Sequence, residues 1–98
     1  MATAPSTAKS KVQRGRPKGT TTFDAPTAIA FGAVLRRRRL ALGIAQEQLA
    51  LLSSTDRSFV GKVERGENQP SLILILRLSK ALGCSAADLI ADVEAALK

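Results

Sequence analysis

An all-α fold is what this chain predicts, and three observations carry the prediction. Ala, Leu and Arg are plentiful, whereas the aromatic residues are three Phe with no Trp or Tyr, so strand-favouring types are scarce. Apolar residues recur at helical spacing, from Ile29 through Leu97. Helix-start residues and helix-stop glycines punctuate the chain at short intervals. At 98 residues it makes one domain at most, with a core of Leu, Ile, Val and Ala.

Taken in order, residues 1–23 are rich in Ala, Ser, Thr, Pro, Gly and Lys, with Val12 the only large apolar side chain before Phe23. Such a basic arm buries too little to offset its ordering entropy and is expected to be disordered in isolation. It is Ser/Thr-rich like a targeting peptide, but it lacks an amphipathic face. The domain is expected over 24–98. Asp24 to Thr27 start a first helix, with Pro26 in its first turn. Ile29, Phe31, Val34, Leu35 and Leu42 follow until Gly43. A second helix covers about 45–53, with Leu49, Ala50 and Leu52 as buried candidates. Ser53-Ser54-Thr55 form a turn. Asp56 caps a third helix to Arg65, with Val60 and Val63 inward and Gly66 ending it. Ser71 caps a fourth helix reaching Leu82 and Gly83. Ser85 caps a fifth, in which Leu89, Val93 and Leu97 recur every four residues.

The net charge of +7 is uneven: +4 in residues 1–27, +4 in 28–66 and −1 in 67–98. A polyanion-facing front and a partner-facing back follow from it. With one cysteine, Cys84, and no histidine, neither a disulfide framework, a cysteine-based zinc site nor His-dependent catalysis is available. None of the eight carboxylates is paired in a convincing site, so no enzyme, metal or cofactor is expected. Cys84, between Gly83 and Ser85, reads as a small apolar residue at a helix junction, with a redox switch as the competing reading. The apolar run Leu72 to Leu76 is too short for a bilayer and no signal peptide is visible, so a cytoplasmic, nucleoid-associated protein is expected.

Two short helices around a three-residue turn have the layout of a helix-turn-helix, which alone is common. The residues are more specific. The stretches Gly43-Ile44-Ala45-Gln46-Glu47-Gln48-Leu49-Ala50 and Asp56 through Leu72 resemble the Cro/repressor (XRE-type) helix-turn-helix family. Leu78 through Leu89 also fit that family's last two helices, so the resemblance covers about residues 29–90. It implies a five-helix, lambda-repressor-like domain with a recognition helix over about 56–65.

The side-chain chemistry agrees. Gln46, at the second helix's N-terminus, suits donation to a phosphate, the use the family makes of the matching glutamine. Arg57, Ser58 and Lys62 share the face opposite Val60 and Val63. The resemblance makes them base readers, with Arg57 and Lys62 suited to guanine O6/N7. Phe59 touches a thymine methyl or the sugar-phosphate wall. Arg65 and Asn68 lie where the following loop meets phosphates, and the resemblance pairs Glu64 with Arg39. For this face the bland reading is a solvated helix surface. Gly61, which costs the helix about 1 kcal/mol, reads equally as tolerance or as close approach to DNA. Two positions depart from the family: Ala45 replaces a Ser/Thr cap and Ser54 replaces the turn glycine. The run Arg36 to Arg39 winds around the helix and cannot all face one ligand. Arg39 makes the structural pair, and the rest are solvated or add long-range attraction.

Arg14-Gly15-Arg16-Pro17-Lys18 resembles an AT-hook core, which lays an extended backbone in the A·T minor groove. A basic tail adding non-specific affinity explains the same charges. In the fourth helix, Leu72, Ile75, Leu76 and Leu78 are assigned to the core. Ile73 and Leu74 then face out and, with Val93 and Leu97, form a homodimer seam. Such a dimer spaces two recognition helices about one DNA turn (~34 Å) apart on a palindrome. The partner is double-stranded DNA, with no membrane or small-molecule ligand evident. The leading function is a dimeric transcriptional repressor of a palindromic operator. An antitoxin-like module with a protein partner and a restriction-modification controller are the alternatives.

Overall fold

A computed structural model describes residues 22–98 as α1 (Ala25–Ala41), α2 (Gln46–Leu52), α3 (Arg57–Glu64), α4 (Leu72–Ala81) and α5 (Ala86–Ala96), with no strand among them. Four helix starts are closed by their own side chains. Asp24 accepts the Thr27 backbone N–H at 3.2 Å and Asp56 that of Phe59 at 2.8 Å. Ser71 accepts that of Leu74 at 3.3 Å and Ser85 that of Asp88 at 3.0 Å. α2 is the exception. Ala45 has no acceptor to offer, so only Gln48 reaches back, its Oε1 taking the Ala45 N–H at 2.9 Å. Lacking a side-chain cap costs a helix about 0.5–2 kcal/mol.

Helices α1 to α4 all stop by the same device, a left-handed residue just past the end with two N–H groups turned back onto the last-turn carbonyls. After α3, Glu67 N–H meets the Lys62 carbonyl at 2.9 Å and Gly66 N–H meets that of Val63 at 3.0 Å. Glycine takes this position three times. After α2 it is Ser54, at φ 60°, a strain of about 1–2 kcal/mol for a residue with a side chain.

The core draws on every helix: Phe31, Val34 and Leu35 from α1, Leu49 and Ala50 from α2, Val60 and Val63 from α3, Leu78 from α4, and Leu89 and Val93 from α5. Ile44, Ile75 and Cys84 pack half-buried against it. On α1's other side, Arg38 Nε meets Asp92 Oδ2 at 2.8 Å and Arg37 reaches the same oxygen at 3.3 Å, tying α1 to α5. The arginine run is thus divided between two partners, with Arg36 exposed.

Several expectations about which apolar residues face inward are corrected here. Leu72 and Leu76 are 71% and 49% exposed, and Leu74 is half-buried. The inward stripe of α4 is Ile75, Leu78 and Ser79, followed by Leu82. The charged Arg77 and Lys80 lie on the opposite, exposed side. Ser79 is tolerated in the stripe because its hydroxyl donates to the Leu76 carbonyl at 3.0 Å, so a polar residue takes a buried place with its hydrogen bond satisfied. Val93, assigned above to a dimer seam, lies in the domain core at 5% exposure because α5 turns that face onto α1 and α4. Ile29, Leu42 and Leu52 are exposed.

One residue whose role was not read from the sequence sets the approach of α3 to α1. A Cβ built on Gly32 would fall on the Val63 carbonyl oxygen and 2.6 Å from that of Glu64. Both are backbone atoms and cannot rotate aside. Gly66 repeats the contact one turn on, where a Cβ would sit 3.0 Å from Ile29 Cα. We expect Gly32→Ala to destabilise by about 2 kcal/mol, overpacking of about 3 offset by about 1 of helix propensity. Melting should fall by roughly 8–16 °C. A circular-dichroism melt within about 3 °C of wild type contradicts the close approach.

Candidate nucleic-acid interface

The reading surface is assembled from α2 and α3. Leu49 and Ala50 on one helix and Val60 and Val63 on the other lock the pair together. The turn between them is held by Ser53, whose buried hydroxyl donates to the Leu49 carbonyl at 2.7 Å. With its apolar side inward, α3 presents Arg57, Ser58 and Lys62 outward, with Gly61 on the same side but buried beneath Arg65. With Arg65 and Gln46 they line a concavity of about 220 Å³. Arg57 and Lys62 are exposed and make no ion pair among the described residues. Three cations around one hollow make a surface for a polyanion.

Beneath it lies a buried polar anchor. The Glu64 side chain is 3% exposed and accepts Arg39 Nε at 2.6 Å and Arg39 Nη2 at 3.0 Å. Arg39 Nη1 donates to the Ile44 carbonyl at 2.8 Å, so the guanidinium ties α1, the α1–α2 loop and α3 together. The hydrogen bond to Glu64 raises the Arg39 pKa against the opposing effect of burial, so Arg39 stays charged. Glu64 Oε1 also accepts from Gln46 Nε2 at 2.9 Å. The amide proposed for a phosphate therefore has one N–H committed within the protein, and the other remains.

At the start of α3, Asp56 Oδ1 accepts the Phe59 N–H and the Ser58 hydroxyl, both at 2.8 Å. The backbone N–H first, then the hydroxyl, hold the Asp56 carboxyl below its usual range, so the cap is ionised at neutral pH. Ser58 thus offers a ligand only its acceptor lone pairs while it makes this bond. Phe59 does not join the reading face. It is half-buried against the core, because at 100° per residue it falls on the side of Val63. Arg65 folds back over Gly61 and binds Glu67, Nε to Oε2 at 2.7 Å and Nη2 to Oε1 at 3.3 Å. Asn68 is half-buried in the loop that follows.

Of the proposed seam, Ile73 and Leu97 are exposed, at 55% and 46%. Leu72 and Leu76 join Ile73 on the exposed side of α4. Arg14, Gly15, Arg16, Pro17 and Lys18 lie outside the described residues. The chain leaving them is held by a residue not singled out from the sequence. Gln69, in the loop after α3, accepts the Asp24 N–H at 2.9 Å and donates to the Thr22 carbonyl at 3.0 Å. No pattern in the sequence announces this clamp. Gly32, in contrast, carried a signal: an isolated glycine within a helical pattern, like Gly61. Among the described residues there is no metal-ligating cluster and no helix long and apolar enough to cross a membrane.

Two short helices docked through a small residue, the second offering a cationic face, define a DNA-binding helix-turn-helix. The helix-turn-helix family model matches residues 35–89, more than half of the chain. The chain belongs to the Cro/repressor (XRE-type) helix-turn-helix family. It is 40% identical over 50 residues to an uncharacterized HTH-type transcriptional regulator of Methanothermobacter thermautotrophicus, covering 51% of this chain and 72% of that one. Among solved structures it is similar to the restriction-modification controller protein C.AhdI of Aeromonas hydrophila. There the identity is 48% and the TM-score 0.62, over 63% of this chain and 94% of that one. It is also similar to the P22 c2 repressor in complex with a synthetic operator, at 36% identity and TM-score 0.57, over 60% of this chain and 89% of the other.

Proposed function

We propose that this protein is a non-catalytic transcriptional regulator that binds a palindromic operator as a homodimer, with α3 in the major groove. The observation that carries the reading is the outward face of α3. Arg57 and Lys62 stand there with no ion pair among the described residues, around a hollow shared with Arg65 and Gln46. In this role Arg57 and Lys62 read guanine edges, and Ser58 accepts from a base. The second Gln46 N–H, Arg65 and Asn68 hold phosphates. The apolar stripe Leu72, Ile73 and Leu76 with Leu97 is the dimer seam, revised from Ile73, Leu74, Val93 and Leu97.

Gln69 supports a role for the N-terminal arm, since its two hydrogen bonds hold Thr22 and Asp24 beside the loop that follows α3. The arm then starts next to the reading surface, and Arg14 to Lys18 enter an A·T-rich minor groove flanking the operator. Between more particular roles, similarity along 94% of a restriction-modification controller favours a controller over an antitoxin-like partner binder. A cytoplasmic site of action goes with either.

Selection of bound duplexes from a random pool tests the whole reading and should return a palindrome with half-sites about one turn apart. Arg57→Ala should then lose about 1–3 kcal/mol on that palindrome and relax preference at one base pair per half-site. Removing residues 1–21 should weaken A·T-flanked sites more than G·C-flanked ones. Recovery of no sequence preference, or of one indifferent to Arg57, contradicts the proposal.

A further inference from the structure

Among the described residues, Arg65 is the one cation of the reading surface that makes an ion pair. Its side chain runs back over the preceding turn, as helical side chains do, and lands on residue 61. There a glycine makes room: a Cβ at that position would meet Arg65 Nη1 at 3.1 Å and Gln46 Oε1 at 3.7 Å. From the other side Glu67 grips the guanidinium through Nε and Nη2. Glu67 is itself anchored, because its backbone N–H closes α3 on the Lys62 carbonyl at 2.9 Å. A notch, a counter-charge and an anchored backbone therefore favour one orientation of this exposed arginine. The shifts of both partners agree, Arg65 upward and Glu67 downward, each chiefly through this hydrogen bond.

We infer that Glu67, acting with the Gly61 notch, is a specificity-determining positioning residue that makes Arg65 a directional donor instead of a mobile charge. The inference rests on the DNA-binding reading above. A mobile arginine binds any phosphate within reach and raises affinity for all DNA alike. An arginine with one edge clamped by a carboxylate keeps only its remaining N–H donors, around Nη1, on the side of the hollow. It is neutralised as a general anchor, yet it still donates where an acceptor stands at that edge. Glu67 thus lowers non-operator binding while leaving operator binding nearly intact. Gly61, unfavourable for the helix, is retained in this account as the room for Arg65.

The test compares wild type, Glu67→Gln, Arg65→Gln and the double variant by titration of operator and scrambled duplexes across a salt series. Both side chains are exposed, at 58% and 52%, so the fold should be unaffected. Glu67→Gln should raise affinity for scrambled duplex about fivefold, the upper range for releasing an exposed ion pair. The slope of log K against log salt should steepen by about 0.9, one further phosphate neutralised. Operator affinity should stay within about twofold, so specificity falls. In the Arg65→Gln background the Glu67 effect should vanish. A second variant, Gly61→Ala, should shift specificity in the same direction by crowding Arg65 out of its notch.

A Glu67→Gln effect that persists undiminished without Arg65 means direct repulsion of phosphates by Glu67 and overturns the inference. So does a Glu67→Gln protein indistinguishable from wild type. Failure of the wild-type protein to bind either duplex at low salt overturns the DNA-binding reading itself, a distinct outcome.

Discussion

Glu64→Ala is expected to lower the unfolding free energy by about 3–5 kcal/mol, the cost of stranding one member of a buried ion pair. Arg39 would keep a permanent charge in a side chain only 9% exposed, with its hydrogen bond to the Ile44 carbonyl but no counter-ion. Stability for a domain this size is about 5–15 kcal/mol, so a large share of it is at stake. Urea unfolding should show a lower midpoint at unchanged slope. The companion variant Arg39→Met with Glu64→Leu removes both charges and should recover most of the loss, because well-packed apolar replacements of a buried pair are often neutral or better. A Glu64→Ala loss below about 1 kcal/mol would mean that water reaches the pair and screens it. The network also joins stability to binding. Gln46 donates to Glu64, so even a folded Glu64→Ala protein should bind the operator more weakly through a less ordered Gln46.

Ile73→Glu or Leu76→Glu should produce a folded monomer with operator affinity reduced by about 10²–10⁴, the advantage of engaging a second half-site intramolecularly. The positions are 55% and 49% exposed, so neither carboxylate would be buried within the domain. A glutamate at 76 also faces Lys80 one turn later, a pairing that supports the helix. Sedimentation should report the loss of dimer, and titration with a half-site duplex should show unchanged affinity. Leu74→Glu should behave differently. Leu74 is half-buried, so a charge there damages the fold itself. Dimers persisting in both Ile73→Glu and Leu76→Glu would place the seam elsewhere, with the exposed α5 residue Leu97 the next position to test.

The errors about α4 show why helix existence was legible and helix orientation was not. Caps and stops are local: Asp24, Asp56, Ser71 and Ser85 each accept a backbone N–H three residues on, and glycines each take a left-handed turn. A helical wheel gives the relative positions of side chains but not which arc meets a neighbour. In α4 the exposed charges Arg77 and Lys80 share one arc of the wheel, opposite the inward Ile75, Leu78 and Ser79, but the apolar run Leu72 to Leu76 extends past that inward arc and obscures it. Ser79 is tolerated on that buried side because its hydroxyl is satisfied within the helix, by the Leu76 carbonyl. Val93 and Phe59 lie on the apolar sides of their own helices, four residues from the buried Leu89 and Val63, and both pack inward.

By itself the sequence determined an all-α, five-helix protein with a helix-turn-helix, its caps and stops, the strain at Ser54 and the cationic character of α3. These follow from spacing and from interactions reaching three or four residues along the chain. Only the tertiary structure decided which side chains are free to act. It packed Phe59 half-buried against the core and placed Val93 within it, engaged Ser58 with Asp56 and Gln46 with Glu64, and paired Arg65 with Glu67. It also revealed Gly32 and Gly66 as the contacts that bring α3 against α1, and Gln69 as the clamp on the chain entering α1. The reason is physical: a donor's availability depends on the acceptors that folding brings near it, and close backbone approach has no signature until two helices meet.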